Sequence, residues 1–184
     1  MDMNYLNNRW SNPIFKYIDW DKLCKGEKLS EAFIREFKDK VDWYNISKYQ
    51  NLTEDTIREF QNNVNWEEIS RYQTLSEPFI KEFKDKVYWY KICQYQKLSE
   101  NFIREFQHKV SWDNISINQY LSESFIEEFK NKVHWDMISI YQQLSKDFII
   151  KFHNKVHWYN ITKYQVAYKH YRNELSLYNK TKII

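Results

Sequence analysis

A chain of 184 residues with 19% aromatics, a single glycine and two prolines has too much to bury for disorder and too few breakers for a fold of many tight turns. Its formal net charge is only +3, from 28 basic and 25 acidic residues, and no apolar run approaches the length of a membrane span. Five basic and four acidic residues precede Leu29, and four basic and one acidic follow from Ala167, so the middle of the chain is near neutral and the tail carries the excess.

The opening Met-Asp-Met-Asn-Tyr-Leu-Asn-Asn has neither a basic n-region nor an apolar h-region, so a cytoplasmic protein is expected. Residues 6–28 read as a degenerate first copy of a repeat: Leu6, Trp10, Ile14, Ile18, Trp20 and Leu23 match Leu29, Phe33, Phe37, Val41, Trp43 and Ile46. Six regular copies follow over 29–166. Leucine recurs at 29, 52, 75, 98, 121 and 144, and tryptophan at 43, 66, 89, 112, 135 and 158, always 23 residues apart. A fixed period of this size marks units too small to bury their own apolar faces, which must stack on their neighbours. From Ala167, with Tyr171 and Leu175, a single closing helix and a basic tail are expected. The fold class is therefore all-α, an α-solenoid of tandem 23-residue helix–turn–helix repeats with divergent terminal caps, in one domain spanning 1–184.

Each repeat is numbered below from its leucine as place 1. In the copy starting at Leu75, Phe79, Ile80, Phe83 and Val87 fall within about 100° of arc on a helical wheel, and so do Trp89, Ile92, Cys93 and Gln96. Two helices per repeat follow, of roughly three and two turns. Ser76 is a fitting N-cap for the first; Asp42, Asn65 and Ser111 fit the second, whereas Tyr88, His134 and His157 do not. Places 6, 9, 13, 15, 18 and 22 hold Ile, Phe, Val, Trp, Ile and Gln in all six regular copies, which reads as core. The glutamines must be hydrogen-bonded if buried, and a ladder onto the backbone of the turn into the next repeat is expected. Cys24 and Cys93, both at place 19, read as small buried thiols.

Basic residues also recur, at Arg35, Arg58, Lys81 and Arg104, and at Lys40, Lys86, Lys109, Lys132 and Lys155. Most follow a glutamate by four residues, as Glu31 precedes Arg35 and Glu100 precedes Arg104, a favourable helical pairing that accounts for the rows without a polyanion. No Gly-rich phosphate loop, nucleophile elbow or zinc spacing is present, so neither catalysis nor a cofactor, metal or small-molecule substrate is expected.

On the second helix, places 16, 17 and 20 are expected to face outward, and most copies hold polar residues there. Ile117 and Ile140 break the pattern at place 20, beside Met137 and in line with Tyr159, with Asp113 and Asp136 flanking. This set is the candidate surface for a protein partner with an apolar centre and a basic rim. The alternative surface is basic: Arg35, Arg58, Lys81 and Arg104 with Lys169 and Arg172 of the tail, suited to RNA or a ribonucleoprotein.

The wording of copies such as Leu98-Ser-Glu-Asn-Phe-Ile-Arg-Glu-Phe-Gln-His-Lys-Val-Ser-Trp and Leu121-Ser-Glu-Ser-Phe-Ile-Glu-Glu-Phe-Lys-Asn-Lys-Val-His-Trp resembles uncharacterised aromatic-rich tandem-repeat proteins of giant viruses and of phages of AT-rich hosts. The resemblance covers residues 29–166 and carries no catalytic residues. It implies a viral accessory protein, in the host cytoplasm, that binds a host factor or blocks a host nuclease defence; a CRISPR effector is an example of the ribonucleoprotein that the alternative basic surface would engage.

Overall fold

The structure, a computed structural model, describes residues 18–180; Leu6, Trp10 and Ile14 of the expected first copy and Lys182 of the tail lie outside them. Among the described residues every regular element is a helix. Helix α1 (Trp20–Gly26) completes the divergent first copy. The six regular copies contribute the pairs α2 (Glu31–Glu36) and α3 (Trp43–Tyr49), α4 (Glu54–Glu59) and α5 (Trp66–Tyr72), α6 (Glu77–Glu82) and α7 (Trp89–Tyr95), α8 (Glu100–Glu105) and α9 (Trp112–Asn118), α10 (Glu123–Glu128) and α11 (Trp135–Tyr141), and α12 (Lys146–Lys151) and α13 (Trp158–Tyr164). Two short helices close the chain, α14 (Val166–His170) and α15 (Arg172–Lys180). The single closing helix of the expectation is thus bent in two at Tyr171, whose φ of −114° and ψ of 32° leave the helical basin.

First helices are shorter than the three turns expected. Regular helix ends after six residues because the phenylalanine at place 9 bends the backbone, as Phe83 does at φ −104°, ψ 28°. One more turn closes on the same residue, with the Lys86 and Val87 amides donating to the Phe83 carbonyl. The indole then ties this turn down: Trp43 Nε1 donates to the Lys38 carbonyl at 2.9 Å, and Trp135 Nε1 to Lys130 at 2.9 Å. Ser76 Oγ accepts from the Phe79 amide, and Asp42, Asn65 and Ser111 cap their helices as expected. Tyr88, His134 and His157 supply no side-chain cap.

The chain divides into two compact units, Met1–Val87 and Tyr88–Ile184. In the first unit the second helices α1, α3 and α5 pack side by side, and in the second unit α7, α9, α11 and α13 do the same. The tryptophans from Trp20 to Trp135 reach into the next repeat: Trp66 stacks on Phe79 and Phe83, with centroids 6.4 and 4.9 Å apart, and Trp112 on Phe125 and Phe129 at 6.4 and 4.9 Å. The indoles from Trp43 to Trp135 are half-buried, and Trp158 is buried. Lysines of place 12 cover exposed indole faces, Lys86 over Trp66 and Lys132 over Trp112.

The glutamine ladder exists, but it points backward. Gln142 accepts from the Leu121 amide (3.1 Å) and donates to the Ser116 and Gln119 carbonyls (3.0 and 2.8 Å), so it closes the turn that enters its own repeat. Gln50, Gln73, Gln119 and Gln165 repeat the pattern. The direction follows from the side-by-side second helices: the preceding turn lies within reach of the amide. Place 19 adds a second tie, since Ser116 Oγ donates to the Trp112 carbonyl (2.7 Å) and accepts the His134 amide (3.0 Å). Cys93 fills the same role more weakly, accepting the Ser111 amide at 3.4 Å; burial pushes its thiol pKa up to about 11. Cys24 is likewise buried.

Candidate docking face

Two rows of side chains were candidates, and the structure treats them differently. On the first helices, Arg35 Nε donates to Glu59 at 2.7 Å, Arg58 Nε to Glu82 at 2.9 Å and Arg104 Nε to Glu128 at 2.8 Å, in each case a glutamate of the next repeat. The expected pairs within a helix are the longer ones, at 3.7 Å for both Arg35–Glu31 and Arg104–Glu100. The place-3 glutamates are drawn elsewhere, since Glu54 and Glu100 each accept the capping serine amide of the following repeat at 2.6 Å. Lys81 is engaged as well. Arg35, Arg58 and Arg104 therefore belong to the joints between repeats. In the tail, Lys169 and Arg172 are exposed, have no ion pair among the described residues, and line with Thr162 and Tyr168 a groove of about 570 Å³.

The second-helix candidates all lie in the second unit. Asp113, Asp136 and Tyr159 are exposed, whereas Ile117, Met137 and Ile140 are half-buried. Place 17 does not face outward as expected. Asn45, Glu68, Asn114 and Asn160 are buried there, because this place lies at the seam between adjacent second helices, where Asn160 Nδ2 reaches the Asp136 carbonyl at 3.4 Å. Met137 belongs to that seam. Places 16, 20 and 21 form the outer row instead.

Place 21 is the part of the face that sequence reasoning missed. Tyr49 and Tyr72 in the first unit and Tyr95, Tyr141 and Tyr164 in the second are all exposed, at 44–54% of their surface. Tyr44, Tyr90 and Tyr159 at place 16 and Tyr120 at place 23 add to them. Their recurrence was visible in the sequence, but only five of six copies hold tyrosine at place 21, and a periodic aromatic next to an invariant core glutamine reads as packing. The rings are joined by cations: Lys48 lies over Tyr44 and Tyr49, and Lys163 over Tyr159 and Tyr164. Hydrogen bonding with Tyr49 raises the Lys48 pKa, and hydrogen bonding with Tyr164 raises that of Lys163.

Chemically, such a face can bury aromatic and apolar surface and form polar contacts through phenol hydroxyls, which is recognition chemistry. Among the described residues no group of three or more His, Cys, Asp and Glu side chains could hold a metal ion, and no helix is long and apolar enough to cross a membrane. The chain is an all-helical tandem-repeat solenoid, and no protein-family model, curated protein or solved structure matches it.

Proposed function

We propose that the protein is a non-enzymatic repeat scaffold that binds a protein partner along the outer row of its second helices, centred on Asp113, Ile117, Asp136, Ile140 and Tyr159. One observation carries this reading: the first-helix arginines Arg35, Arg58 and Arg104 are held in repeat-to-repeat ion pairs, while the tyrosine row is exposed and the isoleucines interrupt its cations. Tyrosine-rich surfaces with an apolar centre suit protein recognition, since large rigid rings lose little conformational freedom on binding.

Capture from lysate, with and without nuclease and at low and high salt, tests the reading when the Ile117→Lys/Ile140→Lys variant is run beside the parent. Lysine or arginine already stands at place 20 in Lys48, Arg71 and Lys163, so the double variant is expected to fold. Loss of a salt-tolerant, nuclease-resistant partner in the variant is the expected result; equal capture by both proteins contradicts it. The second reading, an adaptor or inhibitor engaging RNA or a ribonucleoprotein, is favoured by the unpaired Lys169 and Arg172 beside their groove. It predicts capture that nuclease and salt both abolish.

A further inference from the structure

Lys48 displays how this face holds a cation. Its ammonium lies 5.5 Å from the Tyr44 ring centroid, 5.2 Å from Tyr49 and 5.8 Å from Tyr72 of the following repeat. Tyr72 serves two cations, because the Arg71 guanidinium is 4.9 Å from the same ring. The last regular copy keeps half of this arrangement: Lys163 Nζ lies 5.7 Å from Tyr159 and 5.1 Å from Tyr164. The other half is missing. The residue that corresponds to Lys48, set between Tyr141 and Tyr164 as Lys48 is set between Tyr49 and Tyr72, is Ile140.

The rings have stayed where the cation has gone. Tyr141 and Tyr164 are exposed, and with Ile140 and Glu123 they line a groove of about 690 Å³. Two carboxylates beside it favour positive charge, alongside the Lys163 ammonium 5.1 Å from the Tyr164 ring, just as Arg71 shares Tyr72 with Lys48. Asp136 stands one helical turn before Ile140, where Tyr44 stands before Lys48, and neither Asp136 nor Glu123 has an ion pair among the described residues. Glu123 accepts from the Ser145 amide and hydroxyl, which fixes the carboxylate at the groove without neutralising it. An aromatic face attracts a cation through its quadrupole, and an aliphatic stem packs against an apolar neighbour.

We infer that the groove between Tyr141 and Tyr164 is a seat for a lysine or arginine side chain of the docked partner, with the stem against Ile140 and the charged head over the two rings. The inference rests on the docking reading above and specifies its chemistry. A partner segment with a basic residue fits it, and one with an acidic residue at that point meets Asp136 and Glu123.

The full chain is titrated with Nα-acetyl-lysine methylamide and, separately, with its uncharged counterpart Nα-acetyl-norleucine methylamide, reading the ring signals of assigned tyrosines by NMR. The lysine probe is expected to shift Tyr141 and Tyr164 saturably and to bind about threefold or more tighter than the norleucine probe. Ile140→Lys supplies the missing cation from within and should abolish the response. Lys48→Ile should create a second responsive site at Tyr49 and Tyr72. Equal binding of the two probes, a response that survives Ile140→Lys, or no new site in Lys48→Ile overturns the seat. Docking and seat fail separately: capture that survives the double lysine variant sinks the first, and a silent lysine titration sinks the second.

Discussion

Within each compact unit the two helical layers solve the same problem, joining one copy to the next, by different means. First helices are linked at their outer edge by side chains, with an arginine at place 7 paired to a glutamate at place 8 of the following copy. Second helices pack backbone against backbone and are fastened from within, by the buried glutamine and the small hydroxyl at place 19. The difference determines which layer has side chains to spare. Where joining is done from the inside, the outer row is not needed for it, and there the exposed tyrosines stand.

One joint sharpens the contrast. Between the copies starting at Leu121 and Leu144 the first-helix pair is inverted, with Lys151 Nζ donating to Glu127 at 2.6 Å, so the contact is kept although both signs are exchanged. At the closing helices it is rewired again: Ile150 occupies place 7, and Lys146 at place 3 pairs with Glu174 at 3.0 Å. Selection for charge complementarity at a joint explains these changes more simply than selection for a basic surface.

The largest expected effect lies on the inner fastening. Gln142→Leu leaves the Leu121 amide and the Ser116 and Gln119 carbonyls buried without partners, and should cost about 4 kcal/mol in denaturant unfolding. Tyr141→Ala, one residue away on the exposed row, should cost under about 1 kcal/mol. Equal costs would erase the distinction between the inner and outer sides of that layer.

Next in size is a pH effect at place 19. The Cys93 thiol is raised to about 11 from an ordinary 9.0 by burial, so the protonated form favours the folded state. Its contribution is complete below about pH 9 and is lost as pH rises towards 11, a difference of up to about 3 kcal/mol. Cys93→Ser, which copies Ser116 and Ser139, should fold and should lose less stability than the parent between about pH 8 and 11. Parallel stability curves for the two proteins would show that the thiol is not sheltered.

Thr56 tests the first layer. It replaces the phenylalanine of place 5, leaving Trp43 stacked on Phe60 alone, and it is fully buried, accepting from Arg35 Nη2 at 2.8 Å. In two other joints an arginine rests on that phenylalanine, Arg58 on Phe79 at 5.2 Å and Arg104 on Phe125 at 4.9 Å. Arg35 is solvent-accessible enough to make the same move, so Thr56→Phe should stabilise by about 1 kcal/mol in thermal or denaturant unfolding. A loss of stability would mean that the site has closed around threonine. The smallest effect belongs to the inverted pair: Glu127→Arg or Lys151→Glu alone should destabilise by a few tenths of a kcal/mol, and the two together should restore the parent value.

The period, the helix pairs and the caps were legible because the six copies act as repeated measurements: Ser76 and its equivalents, Trp89 and Ile92 recur with unchanged spacing. What was not legible depends on how copies approach one another. Spacing puts Glu31 near Arg35 on one helix, and only the stacking of repeats brings Glu59 closer. A helical wheel turns place 17 outward, and only the side-by-side second helices bury it. The cation seat needed both kinds of knowledge, since Lys48 reveals its use through Tyr72, a residue of the next copy.

The division between the layers is tested most directly by measuring thermal stability and partner capture together in two double variants. Ile117→Lys/Ile140→Lys should keep the parent melting temperature and lose the partner. Arg35→Glu/Arg104→Glu, which sets like charges against Glu59 and Glu128, should lower the melting temperature and keep the partner at temperatures where the protein is folded. The reverse outcome, capture lost with the first-helix charges and retained with the lysines at places 117 and 140, would contradict the account.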